Sequence, residues 1–295
     1  MNWLKKFYEK QEKKLIIIPI LMIVAAIIIV GTEYSKTGNI FQKDVTLSGG
    51  LTATLYTQID INTIETTIKE NTNKDIIIRK LTFFGTDQQQ GVVIESQELT
   101  RQELEDILKN KLNIELTSEN YSFQQTQSSL GQSFYKQMLI ALLFAFILMS
   151  IVVIVIFRSV IPSAAVILSA AADMLCTVAV INLIGLRMST AGISAILLLI
   201  GYSVDTDILL TTKMFKRREG TIMERIFSSA ATGLTMTAAG LAALSVGYLV
   251  TSSLILKEMF LVLIIGLIID VFMTYLLNAR VILWYMQKKE GKTNA

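Results

Sequence analysis

Histidine is absent from the 295-residue chain, cysteine occurs once and proline twice. Without histidine there is no Ser-His-Asp triad and no His-ligated zinc or haem site. The single cysteine, Cys176, lies in an apolar run, so there is no disulfide framework. No glycine-rich phosphate loop precedes a helix, which argues against an ATP-driven pump. We therefore predict no metal site, no cofactor, no enzymatic activity and, with a net charge of only +3, no nucleic-acid partner.

Charge is also scarce, and 52% of the residues are hydrophobic and gathered into blocks. Each block is close to the roughly 20 residues that cross a bilayer. The blocks are Leu15–Val30, Met138–Phe157, Ile161–Ile184, Ile193–Thr212, Gly233–Val250 and Phe260–Trp284. The first could also be a signal peptide, but it lacks a small-x-small cleavage site. We predict an α-helical polytopic membrane protein with six transmembrane helices in contact with membrane lipid.

A polar segment of about 100 residues, the size of a small domain, separates the first two spans. Its patterns follow the order β-α-β-β-α-β, which is the ferredoxin-like arrangement. The signals are strands at Leu51–Tyr56, Asp75–Leu81, Gly91–Glu95 and Tyr121–Gln125, a helix through Ile64 and Ile68, and a capping box at Thr100–Glu103. We predict a small α+β domain at residues 35–136, after an N-terminus and first helix at 1–34. Helices 2–6 then occupy 137–287, and a tail occupies 288–295.

The distribution of lysine and arginine predicts the orientation. Basic residues crowd the lead 1–14, the loop Lys213–Arg225 and the tail after Arg280, whereas the opposite short loops hold only Arg187 and Lys257. We therefore expect both termini to be cytoplasmic and residues 35–136 to be extracytoplasmic, with the chain in the cytoplasmic membrane. Whether the domain acts on something outside the membrane or only caps the helices stays open.

Four aspartates lie within the predicted spans: Asp173, Asp205, Asp207 and Asp270. A charge at the centre of a bilayer costs roughly 2.5–3.5 kcal/mol on insertion scales, so such residues usually face protein or water and have a function. No lysine or arginine lies at the same depth in the sequence. Unpaired carboxyls in a low dielectric readily bind a proton. We predict that these four residues form an ion or proton pathway, against the alternative that neighbouring hydroxyls merely cap them.

Helix geometry separates two of these aspartates. Asp205 and Asp207 lie about 200° apart around an α-helix and cannot share a face. At most one of them is expected to point towards Asp173 and Asp270, and the other towards a partner subunit. The fifth span repeats glycine at every seventh residue, and such a smooth face allows a neighbouring helix to approach closely. These glycines are Gly233, Gly240 and Gly247.

The segment Gly201-Tyr202-Ser203-Val-Asp205-Thr-Asp207 resembles the fourth-span signature of the SecD/SecF protein-export family, in its archaeal SecF form. The resemblance extends over the whole chain, because six spans with one domain after the first is the layout of that family. Weaker similar elements are Leu47–Gly50, Gln127–Gly131, and Phe157-Arg158 with Pro162. The family in turn is similar to the RND transporters.

The resemblance implies one half of a SecDF complex that uses the proton (or sodium) motive force to help draw polypeptide across the membrane. It implies a SecD-like six-span subunit, the Sec channel and unfolded preprotein as partners, with Asp205 and Asp207 at the pathway between two helix bundles. Ala172 stands where bacterial members have a histidine, and Ser228–Thr232 lacks their arginine. The Asp–Arg relay of the bacterial members therefore cannot be transferred to this chain.

Three other functions are compatible with six spans and buried acids. A small-molecule exporter of RND type shares both features, although the single small domain here gives no sign of a drug-sized pocket. A structural subunit that stabilises a partner without ion coupling stays open. An intramembrane aspartyl protease would need a Gly-x-Gly-Asp element, and Asp173, Asp205 and Asp270 lack it.

Overall fold

A computed structural model describes residues 15–82, 88–215 and 221–293 of the chain. The basic lead 1–14 and part of the basic loop Lys213–Arg225 lie outside the described residues. In chain order the elements are α1 (Ile17–Thr37), α2 (Val45–Ser48), β1 (Gly50–Leu55), α3 (Ile61–Asn71), β2 (Ile76–Thr82), β3 (Gln89–Ser96), α4 (Arg101–Asn110), β4 (Tyr121–Thr126), α5 (Ser128–Phe157), α6 (Val160–Leu183), α7 (Thr190–Phe215), α8 (Ile222–Val250), α9 (Leu254–Phe272), a π-helix (Met273–Asn278) and α10 (Ala279–Thr293).

Six helices are long and apolar enough to cross a membrane: α1, α5, α6, α7, α8 and the continuous rod from α9 into α10. This confirms the predicted number of spans. Within the described residues, α6, α7 and the α9–α10 rod have about half of their apolar windows buried and form the centre of the bundle. Helices α1, α5 and α8 bury little and lie around that centre.

Two of the spans begin well before their apolar blocks. Helix α8 starts at Ile222 because Thr221 and Glu224 form a reciprocal capping box that satisfies the first free backbone N–H groups. Helix α5 starts at Ser128, directly after β4, and its first turns lie against the segment that enters the sheet. A Cβ at Gly131 would lie 2.8 Å from the Gly49 backbone nitrogen, so only glycine permits this approach.

The domain between α1 and α5, here called the sheet domain (residues 45–126), has the predicted βαββαβ order. Its four strands pair antiparallel in the order β2-β3-β1-β4. Helices α3 and α4 pack their apolar residues on the sheet, and the capping box of Thr100 and Glu103 is present at the start of α4. The fully buried core of the domain contains Leu51, Leu55, Ile64, Ile68, Ile94, Leu104 and Leu108.

The sheet domain is joined to the bundle by backbone pairing as well as by the chain. Lys43 forms a parallel bridge with Met188, in the connection between α6 and α7. The Asp44 N–H donates to the Met188 carbonyl at 2.9 Å, and the Met188 N–H donates to the Gln42 carbonyl at 2.8 Å. Phe41, Leu47 and Met188 are buried in one cluster with side chains of the bundle. The domain is therefore held to the ends of the central helices.

Candidate functional site

Three of the four predicted aspartates meet at the centre of the bundle. Asp173 of α6, Asp207 of α7 and Asp270 of α9 are all 0% exposed. Each lies within electrostatic range of at least one of the others. Among the described residues no lysine or arginine is fully buried with them. We call these residues the buried triad.

Hydroxyl and amide groups surround the buried triad. Asn278 Nδ2 donates to Asp207 Oδ1 at 2.7 Å, and Thr274 Oγ1 donates to Asp270 Oδ1 at 3.2 Å. Ser203 lies beside Asp173, but neither carboxyl oxygen of Asp173 makes a hydrogen bond of good geometry within the described part of the chain. Further hydroxyls at the site come from Ser169 and Thr206.

The π-helix positions two residues that sequence reasoning missed, Thr274 and Asn278. A π turn takes more residues than an α turn, which keeps side chains four residues apart close to one line. Asp270, Thr274 and Asn278 therefore all face the interior, and each is fully buried. The sequence did contain a signal for these two residues, because they are polar and lie four and eight positions after an aspartate within an apolar span. No residue pattern predicts the π-helix itself.

Asp205 lies outside the buried triad. It is exposed on the protein surface, as are its neighbours Gly201 and Tyr202, the latter at 49%. A Cβ at Gly201 would meet no atom within 4 Å. The segment Gly201–Asp207 therefore has two faces on the helix. Ser203 and Asp207 face inward, while Gly201, Tyr202 and Asp205 face outward. The separation of about 200° between the two aspartates produces this division.

The glycine row of α8 packs against the α9–α10 rod, unevenly. A Cβ at Gly233 would overlap the hydroxyl oxygen of Tyr275, a residue of the π-helix. A Cβ at Gly247 would lie 2.9 Å from the ring of Phe260, whereas at Gly240 it would have an ordinary contact of 3.5 Å with Leu267. Close approach is therefore required most strongly at Gly233, nearest the buried triad.

A cation reaches α8 from the neighbouring helix. Lys213 of α7 donates through Nζ to the Ser228 carbonyl oxygen at 3.1 Å and to Thr232 Oγ1 at 2.8 Å. The stretch Ser228–Thr232, which has no basic residue of its own, is thus contacted by a lysine ammonium. This places a positive charge two helical turns beyond Asp205 on the same helix.

The chemistry open to the buried triad is uptake and release of a cation. Three carboxylates without a buried counter-charge are strongly unfavourable in a low dielectric, so protons or a bound cation must neutralise part of their charge. Hydroxyl groups, which both donate and accept hydrogen bonds, suit either protonation state.

Comparison with known proteins identifies the family. The family model described as "Protein export membrane protein SecD/SecF, C-terminal" matches residues 105–288. The chain belongs to the SecD/SecF family. Among its relatives, the protein-export membrane protein SecF of Pyrococcus furiosus is 35% identical over 98% of this chain and 96% of that protein. SecF of Methanothermobacter thermautotrophicus is 37% identical over 84% and 86%, respectively.

The fold is also that of a solved member of the family. The crystal structure of SecDF, a translocon-associated membrane protein from Thermus thermophilus, aligns with a TM-score of 0.73 at 17% identity. The alignment covers 95% of this chain and 38% of the SecDF chain. The chain therefore spans well under half of that SecDF protein.

Proposed function

We propose that this chain is the SecF-type subunit of a protein-export complex in the cytoplasmic membrane. In this proposal it works beside a SecD-like six-span subunit and the Sec channel and promotes the passage of unfolded preprotein. The motive force for protons, or for sodium, drives this action through the buried triad. Both termini are then cytoplasmic, and the sheet domain lies outside. The observation that carries the proposal is the meeting of Asp173, Asp207 and Asp270, fully buried, from three spans.

The exposed polar surface of α7 and α8 supports a second helical subunit. Asp205, Thr232 and Thr235 are exposed on helices of membrane-spanning length and composition. An exposed carboxylate in the hydrocarbon region is expensive, so such residues normally face protein or water. A SecD-like bundle that covers this surface would shield Asp205, which we propose as the group where the pathway leaves this chain towards its partner.

The absence of any buried lysine or arginine among the described residues favours ion coupling over a purely structural role. A packing role would be served at lower cost by apolar side chains, because replacing buried charged groups with well-packed hydrophobic residues is often neutral or stabilising. Four side chains from three helices instead arrange donors and acceptors around the carboxyls: Ser203, Thr274, Asn278 and Ser169.

The test measures preprotein export into membrane vesicles that contain the complex, with a proton gradient imposed or collapsed. Asp207→Asn is expected to leave co-purification with the six-span partner intact and to abolish stimulation by the gradient. Asp205→Asn is expected to do the same. Asp106→Asn, at an exposed position on α4, is the matched control and should keep full stimulation.

Two outcomes would contradict the proposal, and a third would identify the coupling ion. Equal stimulation in Asp207→Asn and the control would leave the structural role as the better account. Stimulation by a sodium gradient after the proton gradient is collapsed would assign the coupling to sodium. If neither a six-span partner nor the Sec channel co-purifies with the chain in mild detergent, the proposed export complex is wrong.

A further inference from the structure

A second group of buried carboxyls lies where the sheet domain meets the bundle, far from the buried triad. Asp44 precedes α2, Glu95 is in β3 and Glu258 is in the first turns of α9, and each is 6% exposed. They come from three segments that are far apart in the sequence. We call these residues the junction carboxyls.

The junction carboxyls belong to the contact that holds the sheet domain in place. Glu258 Oε1 accepts from the Ser189 N–H at 2.8 Å, one residue after the bridge between Met188 and Lys43. Asp44 accepts from the Val45 N–H and caps α2, while its own N–H donates to Met188. The connection between α6 and α7 is thus bonded on one side to Glu258 and on the other to the entrance of the sheet.

Two arginines act on the three carboxyls, and one of the two also pairs with a fourth carboxylate. Arg79 of β2 has Nη2 3.2 Å from Glu95 Oε2 and acts on Asp44 and Glu258 as well. Arg187 acts on Asp44, but it also forms a 2.8 Å ion pair with the exposed Asp75. The remaining cations nearby are Lys43, which lies 4.0 Å from the centre of the Tyr135 ring, and Lys257, which precedes Glu258 and lines the adjacent cavity.

The side chains of Asp44 and Glu95 are both buried and interact with each other across the junction, and Asp44 also accepts from the Val45 N–H. Two carboxyl groups can share a hydrogen bond only if one of them carries a proton. Burial, followed by the negative charge of Asp44, raises the pKa of Glu95 to about 7. Burial also raises the pKa of Asp44. One proton at this pair therefore belongs to the docked arrangement.

Two cavities lie beside the junction. Cavities of about 430 Å³ and about 580 Å³ border the junction on two sides. The first is lined by Lys43 and Asp75, the second by Arg79 and Glu258, and Arg187 lines both. Arg79, which lines the second cavity, has Nη2 3.2 Å from Glu95 Oε2, so a single side chain lies between Glu95 and this space.

We propose that the junction carboxyls form a proton-dependent latch between the sheet domain and the membrane bundle. With one proton shared between Asp44 and Glu95, the domain is held on the connection between α6 and α7. Loss of that proton leaves three carboxylates facing Arg79 and a partly engaged Arg187, and their repulsion loosens the docking. The latch does not depend on the export function.

The direction of the pH effect follows from linkage. Glu95 has a pKa of about 7 in the docked state and an ordinary value of 4.5 when it is released into water. Because the docked state binds the proton more tightly, docking is strongest below the released value and weakens as pH rises through about 7. The difference corresponds to a change in the docking equilibrium on the order of 100-fold.

Hydrogen exchange of the full-length protein in lipid nanodiscs, followed by mass spectrometry and corrected for the intrinsic effect of pH, tests the latch. We expect protection of peptides that cover residues 42–48 and 186–190 to fall at least 10-fold between pH 5.5 and pH 8.5. In Glu95→Gln, the neutral amide can donate to Asp44, so protection should remain high at both pH values. Glu98→Gln, at an exposed position three residues away, should behave as the wild type.

Three results would overturn the latch. The first is protection of both segments in the wild-type protein that does not change with pH, which needs no variant and is unaffected by any folding defect. The second is a pH dependence in Glu95→Gln equal to that of the wild type, since the titrating group would then lie elsewhere. Low protection at both pH values in Glu95→Gln would also count against it, because a neutral donor should hold the domain closed.

Discussion

Gly233 and Gly240 of α8 offer a matched test of how tightly the helices pack beside the buried triad. They lie two turns apart on one face, and the same substitution to alanine applies to both. At Gly233 the new methyl group would overlap the Tyr275 hydroxyl oxygen and lie 3.3 Å from Thr206 Cγ2. At Gly240 the nearest atom would be Leu267 Cδ1 at 3.5 Å, an ordinary contact.

The expected difference in stability is the overpacking cost alone. Glycine to alanine in a helix interior stabilises by about 0.8–1.0 kcal/mol, and this gain is common to both sites. Forcing an extra methyl group into a packed interior costs typically about 1–3 kcal/mol, and only Gly233 incurs it. Gly240→Ala should therefore be up to about 1 kcal/mol more stable than wild type, and Gly233→Ala about 1–3 kcal/mol less stable than Gly240→Ala.

Thermal unfolding of the purified proteins in one detergent, followed by intrinsic fluorescence, measures this difference. For a protein of this size class, each kcal/mol shifts the midpoint by roughly 2–4 °C, so the two variants should be separated by several degrees. Equal midpoints, or a higher midpoint for Gly233→Ala, would show that Tyr275 moves aside freely. The packing argument for the glycine row would then fail.

Two further substitutions test single hydrogen-bonded positions. Asn278→Leu removes the 2.7 Å donor of Asp207, and the unpaired buried carboxyl should lower the unfolding free energy by about 1–3 kcal/mol, measured by the same thermal assay. An unchanged midpoint would indicate that Asp207 does not depend on this donor. Thr100→Ala removes the capping box with Glu103 and should lower the unfolding free energy by about 1 kcal/mol. A loss well above 2 kcal/mol would point to a role beyond capping.

Most of the fold could be predicted from local patterns in the sequence. Apolar blocks of span length predicted the six membrane helices, and alternation with turn residues predicted the four strands. The capping box at Thr100 and Glu103 predicted the start of α4 to within a residue. The starts of α5 and α8 were predicted too late, because a helix continues through polar residues where a cap or a packing contact supports it. Hydropathy alone does not detect the cap at Thr221, so it does not predict that α8 begins at Ile222.

The candidate site was predictable in part. The separation of about 200° between Asp205 and Asp207 required that they face different ways, and the structure places Asp207 inside and Asp205 outside. Asn278 lies eight residues after Asp270, which was a signal for it, but its direction towards the interior depends on a π-helix that the residue pattern does not predict. The junction carboxyls were missed for another reason. Asp44, Glu95 and Glu258 lie far apart in the sequence, and only the docking of the domain buries them together.

Helix α9 connects the two groups of carboxyls. Glu258 and Asp270 are twelve residues apart on it, about 18 Å at 1.5 Å per residue. Between them, Gly266 is pressed against α7, where a Cβ would overlap Leu199 Cδ2. Packed interiors shift between discrete arrangements rather than deform continuously, so α9 cannot rotate at one end without repacking at Leu199. A change in protonation at the buried triad that moves α9 would therefore alter the position of Glu258 against Ser189. The close contact at Gly266 therefore fixes α9 against α7 between Glu258 and Asp270.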